Sequence, residues 1–83
     1  MNKIIEIKFI ENYILKILFQ DGISKTINFK RLIGDGISNQ LLDIEYFKLA
    51  TIDNGGGIEW PNGFDFCPNY LKENIQEEAF VKV

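Results

Sequence analysis

The sequence predicts an α+β fold: an antiparallel sheet of about five short strands, a short middle helix and a C-terminal helix. Three observations carry this. Apolar and polar residues alternate through the first third of the chain, the period of half-buried strands. Gly follows Asp or Asn at the spacings of hairpin loops. After Pro68, Leu71, Ile75 and Ala79 recur at helical spacing. The 83 residues leave room for one hydrophobic core, so residues 1–83 are read as a single domain.

Residues 4–10 place Ile5, Ile7 and Phe9 on one face and Glu6 and Lys8 on the other. Glu11-Asn12 interrupts the pattern. Residues 13–19 resume it, with Tyr13, Leu15, Ile17 and Phe19 toward the core and Lys16 outward, so the two strands form a hairpin. In "FQDGIS" a two-residue Asp-Gly turn would set Ile17 opposite Thr26 and turn Ile27 and Phe29 to solvent. A three-residue loop, Gln20-Asp21-Gly22, pairs Phe19 with Ile23, Leu15 with Ile27 and Tyr13 with Phe29. A one-residue slip flips every side chain, so the apolar pattern selects the longer loop, with Gly22 in the left-handed position.

Alternation ends after Phe29. "KRLIGDGISNQLLDIEYFK" reads as loop and short helical turns, with Asp43 the N-cap of a helix over 44–48. Residues 49–52 read as a strand, "DNGGG" as a hairpin loop and 58–60 as its partner. Trp60-Pro61-Asn62-Gly63 suits a type I turn with Pro at its second position and Gly left-handed. That turn pairs Trp60 with Phe64, Glu59 with Asp65 and Ile58 with Phe66. Pro68 ends the strand and opens a helix, where its missing N–H costs nothing. Glu73 and Glu77 point outward, and Glu77-Glu78 opposes the macrodipole, so the helix is expected to end near there. "AFVKV" is read as a tail.

Composition removes several functions. The chain has nine Lys and Arg, twelve Asp and Glu and a formal charge of −3. Its basic residues are scattered except for Lys30-Arg31, so it lacks the stripe that phosphate neutralisation needs, and direct nucleic-acid binding is not expected. One Cys cannot form an intramolecular disulfide. Charges at Lys3, Glu6 and Lys8 break any signal-like run, and no apolar stretch approaches membrane-span length, so the expected compartment is the cytoplasm. The absence of His removes Ser-His-Asp and Cys-His systems. Too few Cys and His exist for structural zinc, and no metal or other cofactor is expected. Cys67, with no cation near it in sequence, is read as a buried structural thiol.

Two carboxylates keep chemistry open. Glu59 and Asp65 should face each other on adjacent strands, where they could share acid–base work or a hard cation. The competing reading has Asp65 bracing the turn through backbone N–H groups, or meeting Lys72, while Glu59 is solvated. "DNGGG" and "GDG" lack the spacing and Lys of a phosphate loop and are read as ordinary loops. Trp60 is either an interface anchor or, as favoured here, a core residue whose indole N–H finds one acceptor.

The order of these pieces resembles a known family. The matching residues are Phe19, Asp21, Gly22, Phe47, Ile58, Trp60, Pro61, Asn62, Gly63, Asp65, Pro68 and Leu71. Together they resemble domain of unknown function 2442, a small prokaryotic family, across residues 4–71, with 72–83 as a C-terminal extension. The family often has Tyr or Glu after the Leu, where this chain has Lys72. The resemblance implies an α+β fold and no catalytic residues. It also implies a regulatory context, because some members are encoded beside another small protein and some carry an added helix-turn-helix part that this sequence lacks.

The expected function is therefore a small, non-enzymatic, cytoplasmic protein-interaction or regulatory module, inhibitor- or antitoxin-like. Its partner would be a protein, such as the product of an adjacent gene, or a second copy of itself. Asp21, Gly22, Trp60, Pro61, Asn62, Gly63, Asp65, Pro68 and Leu71 are expected to serve structure. The alternative is a carboxylate- or metal-dependent hydrolase using Glu59 and Asp65. Open strand edges offer the binding mechanism, with Glu73, Glu77 and Glu78 steering a basic partner.

Overall fold

The computed structural model describes residues 2–73 and 75. Strands β1 (Ile4–Glu11), β2 (Ile14–Phe19) and β3 (Ser24–Asn28) form one antiparallel sheet in that order. Two 3-10 segments follow, Lys30–Leu32 and Gly36–Leu42, and then helix α1 (Ile44–Phe47). Strands β4 (Thr51–Ile52), β5 (Ile58–Glu59) and β6 (Asp65–Phe66) form a second antiparallel sheet, and helix α2 (Pro68–Glu73) closes the order.

The α+β class holds, but the expected single sheet of about five strands is two sheets of three. The reason lies at one corner. Ile4 N–H donates to Gly56 O (2.8 Å), which joins β1 to the β4–β5 loop. Directly afterwards the β1–β2 register slips, with Ile4 opposite Phe19 but Glu6 opposite Leu18, so Ile5 is the extra residue of a bulge. A bulge bends its strand and disrupts the ladder. The two-residue strands of the second sheet are too short to recover it.

The same bulge corrects the expected facing of β1. Ile5 is 57% exposed, and Ile4 (2%) takes its place in the core. Ile7 and Phe9 pack against the core as the alternation requires. Beyond β2 the register is the one the apolar pattern selects. Phe19 N–H donates to Ile23 O (2.8 Å), Leu15 faces Ile27, and Phe29 N–H donates to Tyr13 O (2.8 Å).

The second layer covers the first through aromatic rings. Phe47, Trp60, Phe29 and Phe66 interlock, with centroids 5.7 Å apart for Phe47–Trp60 and 5.2 Å for Phe29–Phe66. Asp43 caps α1 by accepting from Glu45 N–H (3.1 Å). Pro68 opens α2, which buries Leu71, and Ile75 is buried beyond it. Lys25 on β3 caps the far end of that helix: its ammonium donates to Leu71 O and Lys72 O (2.9 Å each) and to Ile75 O. A cation there satisfies carbonyls left without partners and complements the macrodipole. The expectations for Glu77, Glu78 and Ala79 lie outside the described residues.

Candidate functional site

The stretch richest in rare residues is built as a turn. Trp60 N–H donates to Phe64 O and Gly63 N–H to Trp60 O (2.9 Å each), with Gly63 at φ +91°. Pro61 presets the entry to that turn. Asn62 braces it twice. Its Oδ1 accepts from Phe64 N–H (3.0 Å), and its Nδ2 donates to Ile37 O (3.2 Å) and Gln40 Oε1 (3.1 Å) in the 3-10 segment. Trp60 is 2% exposed, and its indole N–H donates to Phe47 O (2.9 Å). A side chain so placed has no surface to offer a partner.

Asp21 and Gly22 build a matching turn between β2 and β3. Gly22 N–H donates to Phe19 O (2.9 Å) with Gly22 at φ +91°, and Asp21 Oδ1 accepts from Ile23 N–H (3.0 Å). The other carboxylate oxygen meets Lys72 Nζ at 2.6 Å. That hydrogen bond from Lys72, with the one from Ile23 N–H, holds the Asp21 carboxyl below the ordinary carboxylate value. The Lys72 ammonium also lies 4.9 Å from the Phe19 ring centroid. Lys72 therefore ends on Asp21 and not on Asp65, and the brace of the Trp60 turn is Asn62 and not Asp65.

Glu59 and Asp65 are brought together as expected: they are cross-strand partners on β5 and β6, and both are exposed. They stand there as a pair. Among the described residues no group of three or more Cys, Asp or Glu side chains is placed to hold a metal ion. Cys67 is exposed rather than buried, because Phe66 takes the inward position and strand alternation turns the next residue out. It stands at the start of α2, where its carbonyl accepts from Leu71 N–H (3.2 Å).

The glycine loops carry their own fillings. Asp53 Oδ1 accepts from both Gly55 N–H and Gly57 N–H (2.9 Å each), so the concavity that could take an anion already holds a carboxylate. A Cβ at Gly56 would come within 2.7 Å of the Lys3 side chain, and one at Gly57 would strike Phe66 O, which is why this corner needs glycine. In "GDG", the buried Ser38 hydroxyl accepts from Gly34 N–H (3.0 Å) and Asp35 N–H (3.2 Å) and donates to Asp35 O (2.7 Å). Sequence reasoning identified these loops without seeing that Asp53 and Ser38 close them.

What the scaffold leaves unspent lies on the first sheet. Its outer face holds a shallow groove of about 270 Å³ lined by Glu6, Lys8, Lys16, Leu18 and Ser24. Lys8 and Lys16 face each other across β1 and β2, a like-charge pair. β1 is an edge strand by sheet order. It carries the exposed apolar residues Ile5 (57%) and Ile10 (40%), and β4 alongside it carries Ile52 (36%). Sequence reasoning named open edges in general but missed this one, because it set Ile5 in the core. No helix among the described residues is long and apolar enough to cross a membrane.

The family model described as a protein of unknown function, DUF2442, matches residues 4–77. The chain belongs to the DUF2442 family. The match runs past Leu71 and takes in the start of the segment read from sequence as an extension. No curated protein and no solved structure matches the chain. For this DUF2442 protein the family supplies no activity, so a functional reading rests on the geometry above.

Proposed function

We propose that this DUF2442 protein is a non-enzymatic protein-interaction module that offers the exposed apolar residues of β1 to a protein partner, in a regulatory role of the inhibitor or antitoxin kind. One observation carries the reading. Trp60, Pro61, Asn62 and Gly63 are taken up by turn and core, while β1 presents exposed Ile5 and Ile10. Apolar side chains held at the surface favour burial against a partner. The cytoplasm is the compartment this role implies. Glu73 on α2 is exposed and would favour a basic partner; Glu77 and Glu78 lie outside the described residues.

Co-expression with the product of the adjacent gene tests the proposal. A complex that co-purifies from the wild type and is lost with Ile5→Lys supports it; a complex indifferent to Ile5→Lys places the interaction elsewhere. The cross-strand approach of Glu59 and Asp65 favours a second reading, a carboxylate- or metal-dependent hydrolase. Hydrolysis of ester or phosphoester probes that is lost in both Glu59→Gln and Asp65→Asn would establish it in place of the first.

A further inference from the structure

We propose that the outer face of the β1–β3 sheet is a docking site for an acidic protein segment, which sets a carboxylate between Lys8 and Lys16. This rests on the reading of β1 as an interaction strand and names the chemistry of the partner's contacting segment.

Strand register builds the site in two rows. Leu18 stands opposite Glu6 on one side and Ser24 on the other, and in the next row Lys16 stands opposite Lys8. These residues line the shallow groove of about 270 Å³. Glu6, Lys8, Lys16 and Ser24 are exposed, and Leu18 is half-buried. The face they share is turned away from the core. Ile7, Ile17 and Ile27 alternate with them along the strands and pack in or against the core. Lys25, next to Ser24 on β3, points inward to cap α2, so α2 and its Glu73 lie on the opposite side of the sheet. On β1 the groove residues Glu6 and Lys8 fall between exposed Ile5 and Ile10.

Charge selects the occupant. Two cations directly opposite on neighbouring strands repel each other. Among the described residues, neither lysine is held by an ion pair. A carboxylate set between the two ammonium groups replaces that repulsion with two attractions. Leu18 then takes an apolar neighbour of the carboxylate, the Ser24 hydroxyl donates to a main-chain carbonyl, and Glu6 accepts from a main-chain N–H. A peptide carries all of these groups within a few residues. Nucleic acid does not: its run of phosphates would bring further negative charge against Glu6, about 7 Å along the strand from Lys8. A second copy laid face to face on the groove would crowd both lysine pairs together. The contacts are open to solvent and screened, so an isolated segment binds in about the millimolar range.

Titration of the isotope-labelled protein with acetylated, amidated Glu-Glu-Leu-Glu-Glu, followed by amide NMR shifts at low, fixed ionic strength, tests the proposal. The amides of Lys8, Lys16, Leu18 and Ser24 should shift together, with a Kd of about 1 mM. Lys8→Glu and Lys16→Glu should each weaken binding about tenfold. Glu6→Gln removes the groove's own carboxylate and should tighten it about threefold. Lys30→Glu makes the same charge change outside the groove and should leave the Kd within about twofold. All four side chains are exposed, and circular dichroism checks that each variant is folded. Absence of shifts at the groove near about 10 mM peptide overturns the proposal. So does a Kd indifferent to Lys8→Glu and Lys16→Glu, or one weakened as much by Lys30→Glu. Inorganic phosphate that matches the peptide would mark an anion site only, and an oligonucleotide that exceeds it a nucleic-acid surface; either overturns the acidic segment. Co-expression with the product of the adjacent gene separates the two readings. A partner lost with Ile5→Lys but kept with Lys16→Glu overturns the acidic segment alone, and one kept with both overturns the reading of β1 as well.

Discussion

The chain makes the same turn twice. Phe19-Gln20-Asp21-Gly22-Ile23 and Trp60-Pro61-Asn62-Gly63-Phe64 each start from a buried aromatic residue and end on an apolar one. Both carry a side-chain oxygen that accepts from the N–H two residues on (3.0 Å) and a glycine at φ +91°. Their third residues differ in what they do with the other end. Asp21 reaches Lys72 of the C-terminal helix by charge (2.6 Å), whereas Asn62 reaches Ile37 O and Gln40 through neutral amide hydrogen bonds. Local geometry is thus set by the turn chemistry, and the tertiary tether by the choice between Asp and Asn. Rarity of composition made the second turn conspicuous, yet Pro61 leaves the turn bonds the same as in the plainer first turn, and what Trp60 adds is one buried hydrogen bond to the Phe47 carbonyl.

The aromatic starting residues are the largest lever on this comparison. Phe19→Ala and Trp60→Ala should each cost about 3–5 kcal/mol. For a domain whose total stability is on the order of 5 kcal/mol, that brings the protein to the edge of unfolding. Trp60→Ala should be the worse of the two, because it also removes the shorter of the two hydrogen bonds that the Phe47 carbonyl accepts, the other coming from Ala50 N–H. Urea titration followed by circular dichroism ranks them, and a milder Trp60→Ala would break the claim that Trp60 is a core residue.

Gly22→Ala and Gly63→Ala come next. Neither position has an atom within 4 Å of an added Cβ, so only the left-handed backbone is penalised. Each should cost about 1–2 kcal/mol, and the two costs should agree within about 0.5 kcal/mol. A clear inequality between them would mean the turns are not the same device.

The third residues separate the two turns, with a smaller effect. Asn62→Asp keeps the turn bond but sets a carboxylate against the Ile37 carbonyl, and should cost about 1 kcal/mol near neutral pH. Asp21→Asn keeps its turn bond and loses only the ion pair with Lys72, an exposed contact screened by solvent, so its effect is the smallest of the series. Its signature is the pH dependence. The folded-state pKa of Asp21 is lowered, so its stabilisation is fully present above the unfolded carboxylate value and is lost as pH falls through the folded one. The melting temperature of the wild type should exceed that of Asp21→Asn near neutrality, and the gap should close below about pH 4. A gap that widened on acidification would contradict the assigned Lys72 contact.

These comparisons also mark what the sequence could disclose. Both turn registers were legible, because Leu15 against Ile27 and Ile58 against Phe66 bury only when each loop has three residues. The Asp43 cap and the Pro68 helix start were legible for the same local reason. The bulge at Ile5 was not, since an apolar residue before another apolar residue fits either face. Nor was the split into two sheets, because alternation identifies strands and is silent on which edges meet. Lys25 capping α2, Lys72 meeting Asp21 and Asp53 filling its own loop all join residues by tertiary contact or side-chain geometry that periodicity does not encode. The exposed Cys67 was misread because an uncharged sequence neighbourhood does not tell a buried thiol from an outward strand position. At the candidate site, the cross-strand pairing of Glu59 and Asp65 was legible and the exposure of Ile5 on β1 was not.

The molecule divides into a scaffold that holds the Trp-Pro-Asn-Gly turn and a strand, β1, that presents exposed Ile5 and Ile10, and one measurement compares the two directly. Asn62→Ala and Ile5→Lys are each co-expressed with the product of the adjacent gene, at a temperature where circular dichroism shows both folded. Asn62→Ala should melt earlier than the wild type yet co-purify with the partner as the wild type does, while Ile5→Lys should lose the partner. Partner binding lost in folded Asn62→Ala and kept in Ile5→Lys would contradict this division and return the binding function to the Trp-Pro-Asn-Gly turn.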